Sequence, residues 1–261
     1  MRKMRMVVLD LDGTALRGDK SVSAYTRAVL RACRQKGIHV VVATARGERD
    51  AQKYVDAICP DALISSGGAL ARCGQRVVYR AMLAADTAEA LLQALRQAPG
   101  MRAITMQTDS GYFSTQQEPD DPDYAHALPL DLTKPQTEDA YKITVECARE
   151  EAIRAIAARF PQCGMHAFSD GCWYRFADRR ARKMEAIRAV AQQQGVDLTQ
   201  IAAFGDDFND VEMLGRCGAG IAMGNAIAQA KEAADFVCGT NDEDGAAQWI
   251  ERFVLRGETK G

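Results

Sequence analysis

Val7-Val8-Leu9-Asp10-Leu11-Asp12-Gly13-Thr14 drives an apolar run straight into two carboxylates two residues apart, followed at once by Gly and Thr. The apolar part has the continuous character of a strand buried on both faces. Asp10 and Asp12 then stand where that strand ends, at the edge of an open α/β sheet where ligands bind. Two close carboxylates repel each other unless a cation or a proton lies between them. The simplest reading is a metal-assisted site in which one carboxylate attacks and the other handles protons. The competing structural reading is an Asp-Gly turn, and the rest of the chain weighs against it.

The bulk properties narrow the classes. The chain has 261 residues, 33 Lys and Arg against 35 Asp and Glu, and a net charge of −2. That length holds one large domain or two smaller ones and a sizeable core. The charge balance gives no sign of a nucleic-acid surface. Mean hydropathy is −0.25, and no apolar stretch is long enough to span a bilayer. Asp10 and Asp12 interrupt the short apolar run near the N-terminus, so it does not read as a signal peptide. The eight cysteines are scattered, without a C-x-x-C pair. They are expected as reduced thiols at apolar positions, in a cytoplasmic protein. A zinc site is not expected.

Strand and helix signals alternate through the first third: Met6–Leu9, a helix over Ala24–Gln35 with Ser23 as N-cap, Ile38–Ala43, a helix over Glu48–Ile58, and Ala62–Ile64. That alternation predicts a parallel sheet with right-handed crossovers. The middle differs. Short strands are predicted around Asp109-Ser110-Gly111, Tyr141–Cys147 and Cys172–Ala177 alternate apolar and polar, a helix lies over Glu150–Arg159, and the acidic stretch 118–123 reads as a solvated loop. Half-exposed strands with a helix on one face indicate a small α+β module. After Arg182 the α/β rhythm returns, with a helix over Lys183–Gln194, a strand at Ile201–Gly205, a helix over Asp207–Gly215 and a short strand at Gly220–Met223. The expected organisation is a discontinuous α/β core, residues 1–81 and 180–261, with an α+β insertion at 82–179.

Other constellations sit at the ends of core strands. Thr44, in Ala43-Thr44-Ala45-Arg46-Gly47, offers a hydroxyl and following N–H groups to an anion, or equally a helix N-cap. Gly205-Asp206-Asp207-Phe208-Asn209-Asp210 crowds three carboxylates and an amide into five positions. Such density suits a hard cation such as Mg²⁺, the alternative being an acid-rich helix N-terminus. Lys183 opens a predicted helix, where its charge opposes the dipole, so a substrate phosphate is one reason for it.

The order Asp-x-Asp-Gly-Thr, Thr, Lys, Gly-Asp-x-x-Asn-Asp resembles the haloacid dehalogenase superfamily of phosphohydrolases. Gly220-Ile221-Ala222-Met223-Gly224-Asn225-Ala226 and Ala233-Ala234-Asp235-Phe236-Val237 resemble its Cof-type branch. The resemblance implies an α/β, Rossmann-like core with an inserted α+β cap. It implies a Mg²⁺-dependent phosphatase acting on a small phosphorylated metabolite, a sugar phosphate or cofactor phosphate. Asp10 would be the nucleophile that forms an aspartyl-phosphate and Asp12 the general acid/base. Thr44, Lys183 and Asn209 would hold the phosphoryl oxygens. Asp10, the Asp12 carbonyl and Asp206 would hold Mg²⁺, with Asp210 behind them. A phosphomutase or phosphotransferase is the alternative, and a receiver-like signalling module a more distant one. No nucleic acid or membrane partner is expected; a monomer or small homo-oligomer is. The chain departs from the family pattern at Ala45, at Arg182 and Met184 around the lysine, and at Gly67-Gly68-Ala69. Arg175 is the candidate specificity residue of the cap, since it lies opposite Cys172, Tyr174 and Phe176 on an alternating strand. The cluster Arg175, Arg179, Arg180 and Arg182 would bind a second anion or form a charged linker surface.

Overall fold

The computed structural model describes residues 3–116, 126–168 and 171–258. The acidic stretch 118–123 lies outside them. The chain packs as two compact units, Met1–Tyr79 with Arg182–Gly261, and Arg80–Ala181. β1 (Met6–Leu9), α1 (Ala24–Gln35), β2 (His39–Ala43), α2 (Glu48–Ile58), β3 (Ala62–Ser65), β4 (Leu70–Cys73) and β5 (Arg76–Arg80) come first. Then follow α3 (Ala85–Arg96), β6 (Met101–Gln107), β7 (Tyr112–Ser114), β8 (Leu128–Pro129), β9 (Lys142–Cys147), α4 (Glu150–Arg159), β10 (Cys163–Ala167) and β11 (Trp173–Asp178). The return segment adds α5 (Lys183–Gln194), β12 (Ile201–Gly205), α6 (Val211–Arg216), β13 (Ala219–Ala222), α7 (Ala228–Ala233), β14 (Phe236–Val237) and α8 (Gly245–Trp249). The fold class is α/β, a Rossmann-like core with an inserted α+β unit.

The first unit is built on a sheet of order β14-β13-β12-β1-β2-β3-β4-β5. The six strands from β14 to β3 run parallel, and β4 turns back antiparallel to β3. Each central strand feeds two cores. Val7 and Leu9 join Val40, Val42 and Phe204 under α1, α2 and α8. Met6 and Val8 join Val41, Ala43 and Ala203 under α5. Both faces of the pleat are covered, which is why these strands are apolar throughout apart from His39 at the start of β2. On α1, Thr26, Val29, Leu30 and Cys33 make the buried stripe, and Ser23 accepts the Thr26 N–H at 2.9 Å as its cap.

The second unit carries a six-stranded sheet of order β10-β11-β9-β6-β7-β8. Ile143, Val145 and Cys147 of β9 and Tyr174 and Phe176 of β11 share one core with Leu91, Leu92 and Leu95 of α3 and Ile153 and Ile156 of α4. The alternation on β9 and β11 is thus that of strands with helices on one face.

The helix expected from Asp207 opens as a 3₁₀ turn over Phe208–Asp210 and becomes α-helical at Val211. Asp207 and Asp210 cap each other there, and the Asp210 carboxylate accepts the N–H groups of Asp206 and Asp207 at 3.0 and 3.2 Å. Cys33, Cys147, Cys163 and Cys217 are buried thiols, but Cys59 is exposed. It ends α2 with φ +52°, a surface position outside the apolar stripe. Among the described residues, no helix is long and apolar enough to cross a membrane.

Phe204 is fully buried on β12 and meets Trp249 edge-on at 5.5 Å. Phe204→Ala should lower stability by about 3–5 kcal/mol. Urea unfolding measures it, and a loss under about 1 kcal/mol would show that this contact does not anchor β12.

Candidate active site

Parallel pairing brings the expected motifs to one edge. Leu9 pairs with Phe204 and with Val42, and Ala43 pairs with Ile64. The residues that follow, Asp10, Thr44 and Asp206, therefore stand side by side at the carboxyl ends of β1, β2 and β12. The chain turns outward from β1 in both directions, to β2 and β3 on one side and to β12 and β13 on the other. Such a topological switch point opens a crevice at the strand ends.

Lys183 closes the crevice from the start of α5. Its Nζ lies 2.6 Å from Asp10 Oδ1 and 2.7 Å from Asp210 Oδ1, and all three side chains are buried. Burial opposes the lysine's charge, but Asp10 and Asp210 outweigh it and its pKa stands above the ordinary value. Burial also raises Asp10; Lys183 pulls it down, Asp210 and Asp206 push it up, and the net direction is up. Asp206 is pushed up to about 7, first by burial and then by Asp210, against a hydrogen bond from the Thr14 hydroxyl at 2.8 Å. Carboxylate oxygens of Asp10, Asp206 and Asp210 lie within 4.8 Å of one another. Three carboxylates beside one ammonium leave two negative charges, matching a divalent cation.

This constellation has close parallels. Residues 7–250 match the family of haloacid dehalogenase-like hydrolases. The chain belongs to that family. It resembles phosphatase YwpJ of Bacillus subtilis, 27% identical across 96% of this chain and all of the relative. It also resembles the 5-amino-6-(5-phospho-D-ribitylamino)uracil phosphatase YitU of the same organism, 25% identical across 96% and 98%. A haloacid dehalogenase-like hydrolase structure from B. subtilis superposes with a TM-score of 0.82 at 25% identity, over 95% of this chain and 99% of that one. This haloacid dehalogenase-like hydrolase is an enzyme of the phosphatase class, of the Cof-type branch.

The remaining expected residues fall in different settings. Thr44 is buried, and its Oγ1 accepts the Arg46 N–H at 3.0 Å. Asn209 is half-buried in the short turn Phe208–Asp210. Asp12 is held by a fork: Arg46 Nε donates to Oδ2 at 2.7 Å and Nη2 to Oδ1 at 2.8 Å, and Lys20 Nζ to Oδ1 at 2.8 Å. Burial raises the Asp12 pKa, but Arg46 and then Lys20 outweigh it and hold it below the usual carboxylate range. Arg175 lies in the other unit. It is 2% exposed, and its Nη2 donates to the Ala181 carbonyl at 3.1 Å. Burial pushes its pKa down to about 10. Arg180 is paired with Asp178, and Arg182 with Glu185 and Glu212, so those two members of the arginine cluster are engaged locally.

The sequence reading missed Lys20, Thr14, Arg46 and Gly68 as parts of the site. Arg46 stands two residues from Thr44, and its guanidinium also covers the Tyr54 ring at 5.3 Å. Gly68 is the third of three successive residues with positive φ, after Ser66 and Gly67. A Cβ on it would stand 2.2 Å from the Arg182 carbonyl carbon and 2.4 Å from the Lys183 nitrogen. The turn after β3 therefore presses its bare backbone on the residue that carries the buried ammonium. The Gly67-Gly68 pair was the available signal, since paired glycines mark such turns.

Gly68→Ala combines φ +94° with that overlap. It should destabilise the protein by about 2 kcal/mol or more and disturb Lys183 in the same step. Thermal unfolding and aryl phosphate turnover check it; a variant unchanged in both would show that the approach is not required.

Proposed function

We propose that this enzyme is a Mg²⁺-dependent phosphatase that hydrolyses a small phosphorylated metabolite through an aspartyl-phosphate. The observation that carries the reading is the buried Lys183 ammonium between Asp10 and Asp210 at the switch point of the sheet. A lysine there offers positive charge to a phosphoryl group beside a carboxylate fit to attack it, and phosphoryl transfer depends mainly on such positioning and charge stabilisation.

The donor set fits Mg²⁺: oxygen ligands only, a net charge of two, and Gly13 shaped so that Asp206 approaches where a Cβ would stand 2.2 Å from its Oδ2. Asp10, Asp206 and the Asp12 carbonyl would hold it, and Asp210 would brace Lys183 and the Asp206 backbone. When bound, the ion would add positive charge beside the phosphoryl oxygens.

Asp10 attacks phosphorus, and the bond to its oxygen forms as the bond to the leaving oxygen breaks. Asp12, which Arg46 and Lys20 hold as an anion in the free enzyme, must take up a proton as substrate binding loosens those contacts, and it gives that proton to the leaving oxygen. Asp12, now anionic, takes a proton from water, which attacks phosphorus and releases Asp10 and inorganic phosphate. Thr44, Lys183 and Asn209 hold the phosphoryl oxygens throughout. YitU, whose named substrate is a ribityl phosphate bearing a heterocycle, supports looking first among sugar and sugar-alcohol phosphates.

Asp10→Asn removes the nucleophile and should cut turnover by about 10,000-fold or more in a protein that still unfolds cooperatively. Retention of a tenth of the rate, with deamidation excluded by mass spectrometry, would show that another group attacks.

The cation also has to displace a proton. Asp206 at about 7 is partly protonated at neutral pH. Mg²⁺ affinity should therefore be weak at pH 6, rise through pH 7 and level off about a unit above it. Calorimetry in buffers of different ionisation enthalpy should show proton release near pH 7. Equal affinities at pH 6 and 8 would remove Asp206 from the ligand set.

A further inference from the structure

The segment Met223-Gly224-Asn225-Ala226-Ile227 is one of the sequence signals, and the reaction above does not use it. It follows β13 and returns to the backbone of the site. The Met223 N–H donates to the Gly205 carbonyl at 3.1 Å, and the Ile227 N–H donates to the Asp206 carbonyl at 2.9 Å. Between them Asn225 reaches the loop after β1, where its Nδ2 donates to the Gly13 carbonyl at 2.8 Å.

Asn225 is itself held. Its Oδ1 accepts the Asn241 N–H at 3.0 Å. The neighbouring Gly224 carbonyl accepts Lys231 Nζ at 2.7 Å, and the Gly224 N–H donates to the Gly239 carbonyl at 3.0 Å. One end of this strap is thus fixed to the Asp206 backbone and the other to Gly13.

The constraint falls where freedom is greatest. Gly13 has φ +73°, and no side chain restricts its torsions. It lies between the Asp12 carbonyl and Thr14, whose hydroxyl holds Asp206. Rotation about Gly13 would move the Asp12 carbonyl relative to Thr14, and so relative to the Asp206 carboxylate that Thr14 holds.

We propose that Asn225 is a positioning residue, which fixes the Gly13 peptide against the Asp206 backbone and so sets the spacing of the two walls that would hold Mg²⁺. The inference rests on the cation site argued above. Partners of this kind, one step removed from the ligands, change metal affinity by about 10- to 100-fold when lost.

The test titrates Mg²⁺ alone into substrate-free protein by calorimetry, for wild type, Asn225→Ala, and Asn225→Leu, which keeps the branched outline of the side chain with methyl groups in place of the amide oxygen and nitrogen. The dissociation constant should rise about tenfold in both variants. The Mg²⁺ activation constant for p-nitrophenyl phosphate turnover should move by the same factor, and KM for that ester at saturating Mg²⁺ by much less. Metal-free melting temperatures establish that each variant is folded, and the leucine variant decides if the alanine variant is not. Unchanged Mg²⁺ affinity in a folded variant overturns the proposal, as does an equal rise in KM and activation constant. Asp206→Asn separates the two failures. If it too binds Mg²⁺ like wild type, the cation site is misassigned. If it loses binding while the Asn225 variants keep it, only the role of Asn225 falls.

Discussion

A buried ammonium between two carboxylates is the constraint on which the site depends. Lys183 joins Asp10, 173 positions away at the end of β1, to Asp210, 27 positions away before α6. Placing a cation at the first turn of a helix costs about 0.3–1 kcal/mol against the dipole. Two close carboxylates offset that many times over, whereas removing one partner of a buried pair costs about 3–5 kcal/mol. The rest of the local structure follows. Asp210 must face inward to meet the lysine, so its second oxygen is free to gather the N–H groups of Asp206 and Asp207. That gathering caps the turn Phe208–Asp210, through which the chain enters α6.

The acidic side chains at the strand ends have different electrostatic settings. Asp12 is matched by Arg46 and Lys20. Asp10 and Asp210 share one lysine. Asp206 has the Thr14 hydroxyl on its oxygen, and among the described ion pairs none includes it. Its pKa near 7 comes first from burial and then from Asp210. Asp10 is raised as well, by burial and by Asp210 and Asp206, so a divalent cation beside Asp206 would relieve both.

Much of this was legible in the chain. Continuous apolar runs located β1, β2 and β12, and with them the edge where Asp10, Thr44 and Asp206 meet. Lys183 was legible as an anomaly, a cation where the dipole disfavours one. α3, β4, β5 and β10 went unread for different reasons. Ala88, Leu91, Leu92 and Leu95 do carry a helical period, masked by alanines that count weakly as apolar. β5 is largely exposed and β10 holds a glycine and a histidine, so neither has a clean period-two signal. Arg46 and Lys20 were not legible as partners of Asp12, because chain distance says nothing about which of many surface cations will reach a given carboxylate.

Close approach is the part that polar motifs hide. Three glycines each make room for one functional group. A Cβ on Gly13 would meet Asp206 Oδ2 at 2.2 Å, on Gly205 the Asp210 Cβ at 2.4 Å, and on Gly68 the Lys183 nitrogen at 2.4 Å. None carries chemistry, yet each sets how near a charged residue can come to its neighbours. Coulomb energy varies inversely with separation, and a charged hydrogen bond is lost over a few tenths of an ångström. The charges on Asp10, Lys183, Asp206 and Asp210 can cooperate only because the backbone beside them has no side chains to keep them apart. The motif letters therefore name the charged groups, while the glycines between them determine whether those groups form one site.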